Sequence, residues 1–329
     1  MKYDLIKKIS CGLFLVFILA GCSLANNQWT HYPPEEYSIA FDIDEDLNGD
    51  LWVTTSSLGS ISVFDPSTES WFFRHLPDPI TSDYIRTLSV SQEGDVWVGT
   101  KEGMIRYQFH QDTGLFSIGE TVLIKNDIRT ILQDSRGTLW VGTAADGLFR
   151  SVDNGLTWQA ISIDSQNELK IVFHIYEDNH NKVWISAGPG IYTNEGGGEE
   201  WVLFTHPNQP QLLERRVDTI FEDSRGNLWF GTTVGLVQHD PDRDQWQTFT
   251  TDDVLPDGYV HAIAEDKTGD LWFGTSDGVT RFSPANGEWR TFNEEDGFID
   301  GQVMDILIDR GGNLWFVTFW DGIFKYYLN

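Results

Sequence analysis

Seven tryptophans, each preceded by Leu or Val, punctuate this chain at nearly even intervals: Trp52, Trp97, Trp140, Trp184, Trp229, Trp272 and Trp315. The intervals are 45, 43, 44, 45, 43 and 43 residues. A repeat of about 40–45 residues is the length of one four-stranded propeller blade. The clearest copies are EDSRGNLWFGT (222–232), QDSRGTLWVGT (133–143) and EDKTGDLWFGT (265–275). Each copy parses alike: an apolar run such as Ile128–Leu132 for strand a, a polar Gly-containing turn, then the LWVGT phrase for strand b. A DG-type turn, strand c (Leu148–Val152), a second turn and strand d around another aromatic complete the unit.

Adjacent residues of a strand point to opposite faces. Leu and Trp of strand b are both apolar, so both faces must be covered, as in a blade between two others. Gly and Thr after the Trp suit the close backbone approach of a wedge-shaped blade. The strand-d aromatics give an independent count: Trp29, Trp71, Phe116, Trp158, Trp201, Trp246 and Trp289. The first precedes any complete repeat, and the seventh repeat ends at Phe324–Leu328 without a strand d. The expectation is an all-β, seven-bladed β-propeller over residues 28–329, its last blade closed by an N-terminal strand around QWTHY (28–32). Closure of this kind removes exposed sheet edges. Of the 14 Trp, only Trp320 falls outside the repeat.

The ED-x-x-G-x-L-W-x-G-T phrase resembles the two-component regulator propeller repeat. That resemblance implies the periplasmic ligand-sensing propellers of bacterial hybrid sensor kinases, whose ligands are often oligosaccharides. The sequence departs from them in having one propeller, with no linking domain or kinase through Asn329. Signalling in cis is therefore not expected.

Residues 1–21 read as a signal peptide. Lys2, Lys7 and Lys8 precede the apolar run Ile9–Ala20, which is shorter than the roughly 20 residues that span a bilayer. It ends in Leu19-Ala20-Gly21-Cys22, which resembles the lipobox of bacterial lipoproteins; this implies lipidation at Cys22, with 22–27 as a tether. Ser23 after the Cys then implies outer-membrane sorting in a Gram-negative envelope. The expected location is the cell envelope outside the cytoplasm, with the membrane touched through the lipid only. Cys11 and Cys22 are the only cysteines, so the mature fold has no disulfide. A formal charge of −28 argues against nucleic acid as a partner.

Several motifs imitate chemistry. Ser151–Trp158 (SVDNGLTW) matches the Asp-box, a c–d turn in sialidases and related propellers, and is expected to be structural. Asp44–Gly49 imitates half an EF-hand loop, but position twelve is Thr55 where a bidentate Glu is needed. The eight His show no HxH or HExxH spacing, so neither metal nor cofactor is expected. Streptogramin lyase is also a seven-bladed propeller, with a His and acidic residues on one face. His261 and Glu102 imitate that pattern, although nothing in the sequence pairs them.

A site is sought where repeats differ near the ring axis. In propellers the d–a and b–c loops meet there on one face. Eleven residues before the strand-b Trp stand Phe41, Arg86, Arg129, Phe173, Asp218, His261 and Met304. Thirteen before stand Ile39, Tyr84, Asp127, Ile171, Arg216, Tyr259 and Gln302. Four after stand Ser56, Lys101, Ala144, Gly188, Thr233, Ser276 and Phe319. Arg86, Lys101, Lys125, Arg129, Lys170, Arg215 and Arg216 all map to blades two to five of this face, opposite Tyr259, His261, Phe319, Trp320 and Asp321. A mouth half basic and half aromatic suits a polar, ring-bearing ligand. The candidate ligand residues are Tyr84, Arg86, Lys101, Arg129, His174, Arg216, Tyr259, His261, Phe319 and Trp320. Trp320 is either a ligand platform or a plug packed in the channel or under the N-terminal segment. The expected function is non-enzymatic binding of an oligosaccharide, peptide or envelope protein. The alternatives are a lyase or glycosidase using the same face, and a scaffold for envelope assembly.

Overall fold

The computed structural model describes residues 28–33, 39–55, 60–75, 84–122, 127–163, 170–188, 190–194, 200–205, 215–292, 294–298 and 301–328. The proposed signal peptide, Cys22 and Lys125 lie outside them. Seven separate four-stranded antiparallel sheets form the blades of a propeller. Strands a, b and c of the last blade are Val303–Ile308, Leu314–Thr318 and Gly322–Tyr326, and Trp29–Tyr32 supplies its strand d. In that seam Trp29 pairs with Tyr326 and Tyr32 with Ile323. The expected closure by the N-terminal strand is the observed one.

The repeat phrase places the core between blades. All five residues of every strand b are buried. Seven apolar clusters result, each joining one strand-b Trp to the following blade. The strand-d aromatic of one blade packs on the strand-b Trp of the blade before it: Phe116 on Trp52, Trp158 on Trp97, Trp201 on Trp140, and Trp29 on Trp272. The Gly after the Trp has a steric cause. A Cβ on Gly99 would stand 2.6 Å from Ile128, and one on Gly142 2.7 Å from Val172, both on the next inner strand.

The polar letters of the phrase also have structural roles. The Asp six residues before the Trp accepts backbone N–H groups of its own turn and the indole N–H. Asp223 Oδ1 accepts from the N–H of Arg225 and of Asn227, both 2.9 Å, and Oδ2 accepts from Trp229 Nε1 at 2.9 Å. Asp46, Asp134, Asp178, Asp266 and Asp309 hold their Trp in the same way. The Glu before it reaches the neighbouring blade: Glu177 accepts from Ser135 N–H, Glu222 from Asn179 N–H and Glu265 from Ser224 N–H, at 2.6–2.7 Å. Blade two departs, with Ser91 in place of the Asp, and its Trp97 Nε1 is buried without an acceptor.

Candidate functional site

The inner strands enclose a central channel of about 420 Å³. At one end, the position four after the Trp is tied to the position thirteen before it. The N–H groups of Lys101, Ala144, Gly188, Thr233, Ser276 and Phe319 donate to the carbonyls of Tyr84, Asp127, Ile171, Arg216, Tyr259 and Gln302, at 2.8–3.2 Å. These two loop positions therefore build one mouth, as the alignment of blades requires.

Side chains from all seven blades meet there in a series of ring, cation and hydrogen-bond contacts. Trp320 meets Phe319 edge-on at 4.8 Å, Phe319 meets Phe41 at 5.6 Å, and Phe41 meets Tyr84 at 6.4 Å. Arg86 lies over the Tyr84 ring at 5.7 Å and pairs with Asp127 at 3.0 Å. Arg129 and Arg216 lie over the Phe173 ring at 5.7 and 4.5 Å. Arg216 pairs with Asp218 and also lies 5.8 Å from the Tyr259 ring. Tyr259 contacts His261 at 4.0 Å, and His261 Nε2 bonds Ser276 Oγ and Gln302 Nε2, both at 2.9 Å. Gln302 in turn accepts from the Phe319 N–H through its carbonyl.

Burial and the neighbouring cations set the protonation states. Burial, with the Arg216 charge second, pulls His261 down to about 4, so it is neutral near pH 7. Burial pushes the Tyr259 hydroxyl up to about 12, and Asp218 beside it adds to the effect. Burial, and then the like charge of Arg86, lowers Arg129. Arg86 and Arg216 each have a carboxylate partner; Arg129 has none within ion-pairing distance among the described residues.

Eight expected residues therefore come together: Tyr84, Arg86, Arg129, Arg216, Tyr259, His261, Phe319 and Trp320. Trp320 is 59% exposed, more than a side chain packed into the channel would be. Lys101 adds a backbone N–H, its side chain standing in solvent, and Lys170 and Arg215 are likewise exposed. His174 lines the channel wall and faces sideways. Its Nδ1 accepts from Ile220 N–H at 3.2 Å, and burial holds it at about 4. Phe41, Asp127, Phe173, Asp218 and Gln302 complete the series; the alignment lists them at mouth positions, but residue type alone did not single them out. Asp42 and Asp305, in the channel wall, had no sequence signal, and Asp44 beside them was noticed only as the start of the EF-hand-like segment.

The imitated motifs resolve into scaffold. In the Asp-box, Asp153 Oδ1 accepts from Thr157 N–H at 2.8 Å, and Trp158 Nε1 donates to Gly155 O at 3.1 Å. Asp46 of the EF-hand-like segment holds Asn48 N–H, Asp50 N–H and Trp52 Nε1. Asp178, His180 and Glu222 approach one another closely enough to suggest a metal. Asp178, however, has the same turn and Trp contacts as its counterparts, and Glu222 accepts from Asn179 N–H.

The architecture is that of a seven-bladed β-propeller with a polar and aromatic mouth. The family model for the two component regulator propeller matches three segments of this chain, residues 123–145, 211–233 and 254–277. No curated protein matched. Among solved structures, the extracellular domain of the hybrid two component system BT3049 from B. thetaiotaomicron is 21% identical, with a TM-score of 0.74. The match covers 91% of this chain and 41% of that one, so the present chain spans about two fifths of its relative. Virginiamycin B lyase from Staphylococcus aureus, solved with quinupristin, is 17% identical over 92% of this chain and 99% of that chain, with a TM-score of 0.73. YCF48 bound to D1 peptide is 15% identical over 95% and 99%, with a TM-score of 0.70. At these identities the likeness is one of fold.

Proposed function

We propose that this chain is a non-enzymatic binding protein of the cell envelope, anchored through a lipid on Cys22, which recognises an oligosaccharide at the channel mouth. One observation carries the reading: a series of side chains from all seven blades, cationic along one arc and aromatic along the other, with Trp320 presented to solvent. Aromatic faces stack on the apolar side of a ring, and charged donors orient its oxygens. The two component systems that share the fold carry it in extracellular domains, which supports a location outside the cytoplasm. Peptide or protein partners are the neighbouring class, since YCF48 holds a peptide on the same fold.

A thermal-shift screen of the full chain against glycans and peptides tests this. A ligand at 100 times its Kd adds about 2.7 kcal/mol to the stability of the folded state. A glycan that raises the melt of the wild type but not of Trp320→Ala supports the reading. A glycan whose effect survives in that variant places binding elsewhere. A second reading, a propeller lyase, draws on the virginiamycin B lyase fold and on His261 at the mouth. Product formation abolished by His261→Ala would favour it over simple binding.

A further inference from the structure

Along the arc from Arg86 to Arg216, one guanidinium has no ion-pair partner among the described residues. Asp127 pairs with Arg86 and Asp218 with Arg216. Arg129 stands between these pairs, on the same Phe173 ring as Arg216. Its Nε is shut off from solvent and has no hydrogen-bond acceptor, and no carboxylate among the described residues pairs with its guanidinium. Three guanidiniums thus face two carboxylates along this arc, in a chain whose formal charge is −28. A guanidinium Nε–H buried without an acceptor has lost its water contact and gained none in return.

We propose that Arg129 is the seat of an anionic group, a carboxylate or sulfate borne on a sugar ring, and that the aromatic arc from Tyr84 to Trp320 takes the apolar face of the sugar. The proposal rests on the mouth being the binding site and adds the charge of the ligand. A guanidinium presents donors in a planar fork that matches the oxygens of either anion. The acidity of the remaining surface does not forbid it. Charges farther than about 8 Å are largely screened at physiological ionic strength, so an anion on Arg129 responds chiefly to the guanidiniums and carboxylates of this arc. An anion there also lies near the charges of Arg86 and Arg216, both of which act on Arg129.

The test follows the Nε–Hε resonance of Arg129 in the full chain, in detergent and at fixed ionic strength. The probes are D-glucuronate, sodium sulfate, D-glucose and a short Asp/Glu peptide. The expected result is a saturable shift with glucuronate and with sulfate and none with glucose. By tryptophan fluorescence, Arg129→Ala should lose at least tenfold in glucuronate affinity while its melt stays near that of the wild type. Trp320→Ala should weaken glucuronate about tenfold and leave sulfate unchanged, because only the sugar offers a ring. Glucuronate and sulfate of equal affinity would mean that the anion alone is read, overturning the sugar assignment; so would tighter binding of the acidic peptide. No shift with either anion, or glucuronate affinity unchanged in Arg129→Ala, overturns the anion seat. If neutral glycans then bind in a Trp320-dependent way, the mouth remains the binding site and only its charge preference falls.

Discussion

Replacing Asp223 by Ala tests what the repeated Asp contributes. The carboxylate accepts from two turn N–H groups and from Trp229 Nε1, and Trp229 is wholly buried. Stranding the indole N–H in the core costs about 1–3 kcal/mol, while the turn amides, near solvent, recover part of their loss from water at about 0.5–1.5 kcal/mol in total. The sum is about 3 kcal/mol. A domain larger than 200 residues shifts by roughly 2 °C per kcal/mol, so the melt should fall by about 6 °C. Blade two is the internal control, because Trp97 Nε1 has no acceptor to begin with. Trp97→Phe should therefore cost less than Trp229→Phe, which leaves Asp223 without its indole. Melting followed by circular dichroism reads both comparisons. An Asp223→Ala melt within 2 °C of wild type, or equal costs for the two Trp→Phe variants, refutes the assignment.

Trp29→Ala should lower stability by about 3–5 kcal/mol, the range for emptying a large aromatic site, because Trp29 touches Phe292, Phe298, Phe316 and Tyr326 across the closing seam; denaturant melts check this. Burial raises Asp44 to about 7, and Asp42 and Asp305 are raised as well. A carboxyl raised on folding favours the folded state while protonated, and that contribution is lost as pH rises through about 7. The wild-type melt should therefore decline between about pH 4 and about pH 7 and level off above that, and Asp44→Asn should flatten the decline. Cys22→Ala should abolish lipid labelling and release the protein from the membrane fraction.

The fold was legible because its determinants recur. A strand buried on both faces needs apolar residues at every position, and LWVGT or LWFGT supplies them in each blade. The Glu and Asp before it were legible as repetition, while their roles were not. Glu177 acts on Ser135 of the preceding blade, 42 residues away, and only the stacked blades bring them together. The mouth follows the same logic. Aligning the blades put Arg86, Arg129 and His261 on one face, since strand a begins at the same offset in each. It did not reveal that Phe41 touches Phe319, a contact across the whole chain that exists only once the ring has closed. Nor did it separate His174 from the mouth, because the direction of its ring depends on the neighbouring inner strand.

That inner strand explains which polar residues of the channel are structural. Each blade turns the free edge of strand a towards the axis, and edge N–H groups require acceptors. Asp42 supplies one to Leu88, Asp44 to Val90, Asp305 to Ile43 and Tyr176 to Glu222, at 2.7–3.2 Å. His174 does the same for Ile220. Every one of these side chains reaches from one blade to the next, so the acidic wall clasps blade seven to blade one through Asp305 and blade one to blade two through Asp42 and Asp44. Arg86 and Arg216 are at least paired within the mouth. Arg129 makes no backbone clasp and no ion pair among the described residues, yet it is held half-buried at the rim, within reach of the charges of Asp127 and Asp218. No ion pair or inter-blade clasp among the described residues accounts for that position, and an anionic ligand is the partner proposed to complete it.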